Sequence, residues 1–364
     1  MYPRLEINVD KLKKNVAVVS DICKSHNMDM AMVTKSYCAI PEVVEEITKE
    51  NVDYIADSRV ENLKSLSHIN LPKILLRIPM ISEISDVIKY SDISFNSEIK
   101  TIYKLNEEAK KHDIIHKVVV MVDLGDLREG YFKEEELLSV VEEILKLENI
   151  KLYGIATNLT CYGAIIPSND NLGRLANLAK KIENKYNIVL DFVSGGNSSS
   201  IYLVQSFEMP YGITNLRPGE AIALGRETAY GKILEGAYQD VFKLVCEIVE
   251  NKEKPSLPIG EIGVDAFGNK PEYEDKGILK RAIVAIGRQD IDITSINPID
   301  KDIEILGASS DHMILNVSGC SKKYDIGDTV DFNVEYGGLV SAATSKYVHK
   351  KIVYGEYKKV ELAH

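Results

Sequence analysis

Residues 188–225 read IVLDFVSGGNSSSIYLVQSFEMPYGITNLRPGEAIALG. A β-branched run ending at Val193 passes into a serine–glycine turn, and a second short run passes into Arg217-Pro218-Gly219-Glu220. Working outward towards the N-terminus, the same unit recurs: a short strand-like run, a turn, then a helical pattern. The earlier runs end at Val33, Asp57, Ile78, Phe95, Asp123 and Thr157. Between them lie PEVVEEITKE, with Pro41 suited to a first helical turn, and SEIKTIYKLNEEAKK, where Ser97 is the expected cap. Eight strand–helix units within about 225 residues predict a closed (β/α)8 TIM barrel. The alternative is an open doubly wound sheet, but its first strand normally leads into a GxGxxG turn, which this chain lacks.

After Gly225 the texture changes. DVFKLVCEIVE, RAIVAIGRQDIDI, DIEILGA, HMILNVSG and DTVDFNVEYGG read as strands separated by Gly, Pro, Asn and Asp turns, with no amphipathic helix among them. The expected division is a barrel over residues 1–228 and an all-β domain over 229–364, with residues 1–8 available to pair with the β domain.

Composition narrows the function. The chain has 364 residues, 45% hydrophobic and 27% charged, as expected for a globular protein. A net charge of −11 disfavours nucleic acid or an anionic membrane as partner. No run approaches the roughly 20 apolar residues that span a bilayer, and MYPRLEINVDKL lacks the pattern of a signal peptide. The five cysteines are scattered and form no CxxC, against a disulfide framework or a structural zinc site. The expectation is a cytoplasmic protein with no metal.

Barrel active sites lie at the carboxyl ends of the strands, often with a phosphate site in the loops after strands seven and eight. Ser194-Gly195-Gly196-Asn197-Ser198-Ser199-Ser200 and Arg217-Pro218-Gly219-Glu220 occupy those two places. Glycine admits close backbone approach, and amides with hydroxyls at a helix start bind anions. At the end of the first strand, in AMVTKSYCAI, stands Lys35. A lysine in a barrel mouth beside a phosphate cradle can form a Schiff base, and this pairing points to pyridoxal phosphate, an electron sink for the α-carbon of an amino acid.

These motifs resemble the fold-type III pyridoxal-phosphate enzymes and, within them, the alanine racemase group. PRLEINVDKLKKNV, VTKSY, VMVDLGDLREGYF, GIATNL, SGGNSS, NLRPGEAIALG, AIGRQDI and GASSDHMILNVSG follow that group's motifs in order across nearly the whole chain. The resemblance implies that Lys35 carries the cofactor and serves as one acid/base group. It implies that Ser198 and the amides of Gly219 and Glu220 hold the phosphate, with Tyr347 a further contact, and that Asn197 also binds the cofactor. Asn158 would lie against the cofactor ring, Arg217 would face its nitrogen, and Arg128 would meet the substrate carboxylate. A homodimer with shared active sites is implied as well.

Three positions depart from alanine racemases: Arg288 stands at their catalytic tyrosine, Asn158 at a histidine, and Met121 at a lysine. The chain is more similar to clostridial ornithine racemases, which share the style of TKSYCA, TNLTCYG and SGGNSS. Racemisation needs a base on each face of a planar carbanion. Lys35 serves one face; His312 and Asp311 are the candidates for the other, with Cys161 and Tyr37 in reserve. A cationic substrate side chain needs an acid, for which Asp126, Glu129, Glu220 and Glu227 are available. The rival readings are a decarboxylase of the same fold, whose CDG-type motif is absent because Ser321 and Lys322 follow Cys320, and a non-catalytic protein that binds the cofactor.

Overall fold

A computed structural model describes residues 1–264, 267, 268, 270 and 272–355. The chain forms two compact units, residues 9–239 and residues 1–8 with 240–364.

The first unit is a closed parallel barrel of eight strands. Strand β1 (Arg4–Asn8) belongs to the second unit; helix α1 (Val9–Lys24) opens the barrel unit. There follow β2 (Asp29–Val33), α2 (Pro41–Ile47), β3 (Tyr54–Asp57), α3 (Val60–Ser65), β4 (Lys73–Leu75), α4 (Ile84–Tyr90), β5 (Ile93–Asn96) and α5 (Ile99–Lys111). Then come β6 (His116–Met121), α6 (Glu134–Ile144), β7 (Ile150–Ala156), α7 (Asn169–Tyr186), β8 (Phe192–Asn197), α8 (Ile201–Gln205), β9 (Asn215–Arg217) and α9 (Glu220–Leu224). Strand β2 pairs with β3 and, through Asp29↔Asn215 and Met30↔Leu216, with β9, which closes the ring.

Strand alternation sorts the side chains. Ala31 and Val33 join Ala56, Ile74, Ile93, Phe95, Val119, Met121 and Phe192 in one buried cluster. Met121, at the family's lysine position, is thus core packing. Gly154 is obligatory, because a Cβ there would stand 1.7 Å from the Phe192 carbonyl oxygen of the neighbouring strand. The helices pack by apolar stripes: α1 buries Val9, Leu12, Val16, Val19 and Cys23. Helix α5 starts one residue later than expected, with Glu98 rather than Ser97 at its N-cap and no side-chain cap bond.

The unit boundary falls after Gln239 rather than after residue 228. Asn15 of α1 explains the shift. Its amide nitrogen donates to the carbonyls of Ile222 (2.9 Å) and Tyr238 (2.8 Å), and its Oδ1 accepts from the Tyr238 amide (2.7 Å). Residues 229–239 are thereby fastened to the barrel.

The second unit is an eight-stranded sheet. Its strands are β1, β10 (Phe242–Pro255), β11 (Ile278–Val284), β12 (Ile296–Pro298), β13 (Glu304–Ala308), β14 (Met313–Asn316), β15 (Thr329–Val334) and β16 (His349–Val353). The main order is β12-β15-β10-β11-β14-β13, while β1 pairs antiparallel with β10 and parallel with β16. Among the described residues, helix α10 (Tyr336–Thr344) interrupts the expected all-β texture. The EYGG segment looks like a strand end and turn, but its glycines serve close packing: a Cβ on Gly338 would lie 2.4 Å from the Ser295 carbonyl oxygen.

Candidate active site

Four neighbouring strand ends, in the ring order β7-β8-β9-β2, carry most of the predicted residues on one rim of the barrel. Lys35 begins a short turn directly beyond β2 and is exposed, and no group among the described residues bonds its amine. The backbone behind it is fixed. The Val33 amide donates to the Pro218 carbonyl (3.0 Å), and the Thr34 amide to that of Ala56 (3.0 Å). Thr34 also donates its hydroxyl to buried Asp57 (2.7 Å), whose other oxygen accepts from the Arg59 amide (2.9 Å) and Asn62 (3.0 Å).

The serine–glycine segment differs from its expected form. Residues 188–191 are not strand; Phe192–Asn197 is, so the glycines sit inside β8 and the turn is Ser198–Ser200. Ser198 Oγ accepts from the amides of Gly219 (3.1 Å) and Ala221 (3.0 Å), which brings the two predicted phosphate loops together. With both acceptor positions used, its own proton is left to donate. Gly219 leaves this edge open: a Cβ there would stand 3.2 Å from that of Val33. Asn197 Oδ1 accepts from the Ser199 amide (2.8 Å), and its Nδ2 donates to Asn158 Oδ1 (3.2 Å) and the Leu159 carbonyl (2.9 Å).

Arg217, at the end of β9, is buried, donating to Ser194 Oγ and to the Thr157 carbonyl (2.7 Å) with its guanidinium 5.0 Å from the Phe95 ring centroid. Burial, with the charge of Arg128 second, pulls its pKa down to about 10, so it stays cationic at neutral pH. Among the described residues, buried Ser36 Oγ, Thr157 Oγ1 and Ser199 Oγ have no partner, nor has Asn158 Nδ2. Buried polar groups normally find partners, so unspent donors at the ends of β2, β7 and β8 fit a polar, anionic ligand.

Arg128, after β6, forms an ion pair with Glu129 and lines an open cavity of about 370 Å³ that Glu98, Asp123 and Glu129 also line. The acids suggested for a cationic substrate are already engaged. Asp126 accepts three loop amides, Glu227 accepts the amides of Ala229, Tyr230 and Lys232, and Glu220 pairs with Arg226. Sequence reasoning missed Glu98, whose carboxylate has no partner among the described residues; its place just past a strand end was the available signal. It also missed that Asp57 bonds Thr34 beside Lys35, and that Ser194 and the Thr157 carbonyl accept from Arg217.

The remaining predicted residues belong to the sheet unit. Asp311 and His312 are exposed on the β13–β14 turn, closed by a bond from the Ser309 amide to the His312 carbonyl (2.9 Å). Arg288 runs alongside, its amide donating to the Ser309 carbonyl (2.8 Å), while Gly287 packs so closely that a Cβ would meet the Ser310 carbonyl oxygen at 2.3 Å. Tyr347 is exposed; its amide donates to Ser345 Oγ (3.1 Å), which donates to Asp290 (2.6 Å). Thus Arg288, Asp311, His312 and Tyr347 sit on linked loops of one unit.

A closed parallel barrel with a lysine, a buried arginine and a serine–glycine turn on one rim, joined in sequence to a β-sheet unit, is the arrangement of the fold-type III class of pyridoxal-phosphate proteins. The pattern of the alanine racemase N-terminal domain matches residues 7–227, and the chain belongs to the alanine racemase family. It is 55% identical to the ornithine racemase of Acetoanaerobium sticklandii, over 97% of this chain and 100% of that one. It is 36% identical to the lysine racemase of Thermotoga maritima, over 96% and 98%. Among solved structures, alanine racemase from Clostridium difficile 630 superposes with a TM-score of 0.73 at 22% identity, covering 97% of this chain and 96% of that one. Alanine racemase from Bartonella henselae, with covalently bound pyridoxal phosphate, gives 0.73 at 16% identity over 97% and 100%.

Proposed function

We propose that this chain is a pyridoxal-phosphate-dependent amino-acid racemase that interconverts L- and D-ornithine. The observation that carries the reading is the unbonded Lys35 amine on the same rim as the buried, unspent hydroxyls of Ser36, Thr157 and Ser199. The 55% identity to an ornithine racemase, end to end, supports the substrate. When bound, the cofactor draws electrons from the α-carbon and makes its proton acidic.

The protein's own groups do the rest. Ser198, Ser199 and the open edge at Gly219 hold the phosphate, with Asn197 fixing the turn that presents them. Arg217 would face the ring nitrogen and, keeping its own proton, would leave that nitrogen largely unprotonated. Asn158 would lie against the ring and Arg128 would meet the substrate carboxylate. Lys35 moves the proton at Cα on one face. Asp311 and His312 are the candidates for the other face, delivered by the sheet unit of a second copy in a homodimer, where Tyr347 would also reach the phosphate. Glu98 is the acid best suited to the distal ammonium, because it lines a cavity with Arg128 and its carboxylate is uncommitted. A cytoplasmic location agrees with Cys23, Cys161, Cys246 and Cys320 all being free thiols, and no described helix is long and apolar enough to cross a membrane.

The test uses single enantiomers of ornithine with the holoenzyme, following optical rotation and exchange of the α-proton for deuterium. Loss of rotation with exchange is expected. Release of carbon dioxide would instead establish a decarboxylase. A visible absorption band that Lys35→Ala abolishes is expected of the purified protein, and a colourless protein that takes up no cofactor would refute the reading.

A further inference from the structure

We propose that Asp126 is a positioning residue that locks the substrate side of the barrel rim, an inference that rests on the racemase reading. Asp126 is 1% exposed, yet its carboxylate meets no cation within salt-bridge distance among the described residues. Three backbone amides of one loop satisfy it instead. Oδ2 accepts from Tyr162 (3.0 Å), and Oδ1 accepts from Gly163 (3.1 Å) and Ile165 (3.3 Å). Thr160 (φ 66°) and Ala164 (φ 55°) lie in the left-handed region and curl the loop so that successive N–H groups surround the anion. The fit has no slack: a Cβ on Gly163 would stand 2.8 Å from the Asp126 carbonyl oxygen.

What the clamp joins gives it a role. On one side Asp126 stands two residues before Arg128. On the other, the clamped loop begins with Asn158, Leu159 and Cys161, all of which accept from Asn197 Nδ2 (3.2, 2.9 and 3.4 Å). Asn197 in turn holds the Ser198–Ser200 turn. One buried carboxylate therefore couples the loop bearing the substrate-side arginine to the turn bearing the phosphate cradle. A neutral side chain cannot serve three amides with comparable strength, since hydrogen bonds to an ionised acceptor are about twice as strong.

The experiment compares parent, Asp126→Ala and Asp126→Asn as holoenzymes, by hydrogen exchange and by ornithine kinetics. In Asp126→Ala the amides of Tyr162, Gly163 and Ile165 should exchange at least about tenfold faster, as expected for lost bonds to a charged group. KM should rise about tenfold with kcat changed much less, because substrate orientation rather than the proton-transfer group is disturbed. The cofactor band should remain. Asp126→Asn, which keeps the volume, should show the same pattern at smaller size, so it carries the test if the alanine variant fails to fold. Unchanged exchange, or faster exchange with unaltered KM, would overturn the proposal; so would loss of the cofactor band from both variants. If the parent racemises nothing, the racemase reading falls, while the exchange data still report whether the clamp exists.

Discussion

Thr34 donates its hydroxyl to Asp57 Oδ2 at 2.7 Å, and neither residue is exposed to solvent. The bond ties the last residue before Lys35 to the end of the adjacent strand, so the backbone beneath the Lys35 amine is anchored. Burial pushes the Asp57 carboxyl up, while bonds from Thr34 and the amide of Arg59 oppose that shift.

Asp57→Asn should therefore be mild, since an amide can still meet Thr34 and the Arg59 amide without the cost of a buried charge. A change within about 1 kcal/mol is expected. Asp57→Ala strands the Arg59 amide and Asn62, leaves the Thr34 hydroxyl only a long bond to the Ala56 carbonyl (3.4 Å), and should cost roughly 2–4 kcal/mol. Urea denaturation of the two variants distinguishes a tether from a charge effect.

Ser198→Ala removes the shared acceptor of the Gly219 and Ala221 amides together with the proposed donor to the phosphate. Affinity for pyridoxal phosphate should fall by about one to two orders of magnitude, in line with a lost bond to a charged group. Titration of the apoprotein, followed by absorbance, measures it. Unaltered affinity would show that the anion binds elsewhere.

Glu98→Gln should raise KM for ornithine by roughly tenfold or more if its carboxylate meets the distal ammonium, because an ion pair becomes a bond from a cation to a neutral amide. The same variant should treat an uncharged amino acid of similar length as the parent does. Equal effects on both substrates would move recognition of the side chain to another residue.

The barrel was legible because its signals are local. Each strand is a short β-branched run, each helix a 3.6-residue stripe, and the lysine and glycine motifs sit at strand ends, where barrel chemistry collects. What escaped depended on contacts distant in sequence. Nothing near Tyr238 announces that Asn15 will bind its backbone, so the unit boundary was placed too early. The glycines of EYGG mimic a turn until Ser295 is seen packed against them. Asp126 and Glu227 looked like ligands for a cation because sequence shows their charge and hides the amides that consume it. Glu98 was overlooked for the converse reason: it reads as one more charge at a helix start.

His116 makes the chain's stability depend on pH in a way that can be isolated. It is buried, its Nε2 lies 2.8 Å from Ser94 Oγ, and burial pulls its pKa from 6.5 down to about 4. Between those values the unfolded chain takes up a proton that the folded barrel refuses. Stability therefore falls as pH drops from 6.5 towards 4, and is flat in this respect above 6.5. A depression of this size should cost roughly 2 kcal/mol at about pH 5. His116→Gln can keep a bond to Ser94 but cannot titrate. Whatever its packing cost at neutral pH, the gap between parent and variant should shift in the variant's favour by that amount on acidification. Urea midpoints at pH 7 and pH 5 supply the comparison, and a gap that stays constant would mean that His116 accepts its proton within the folded barrel.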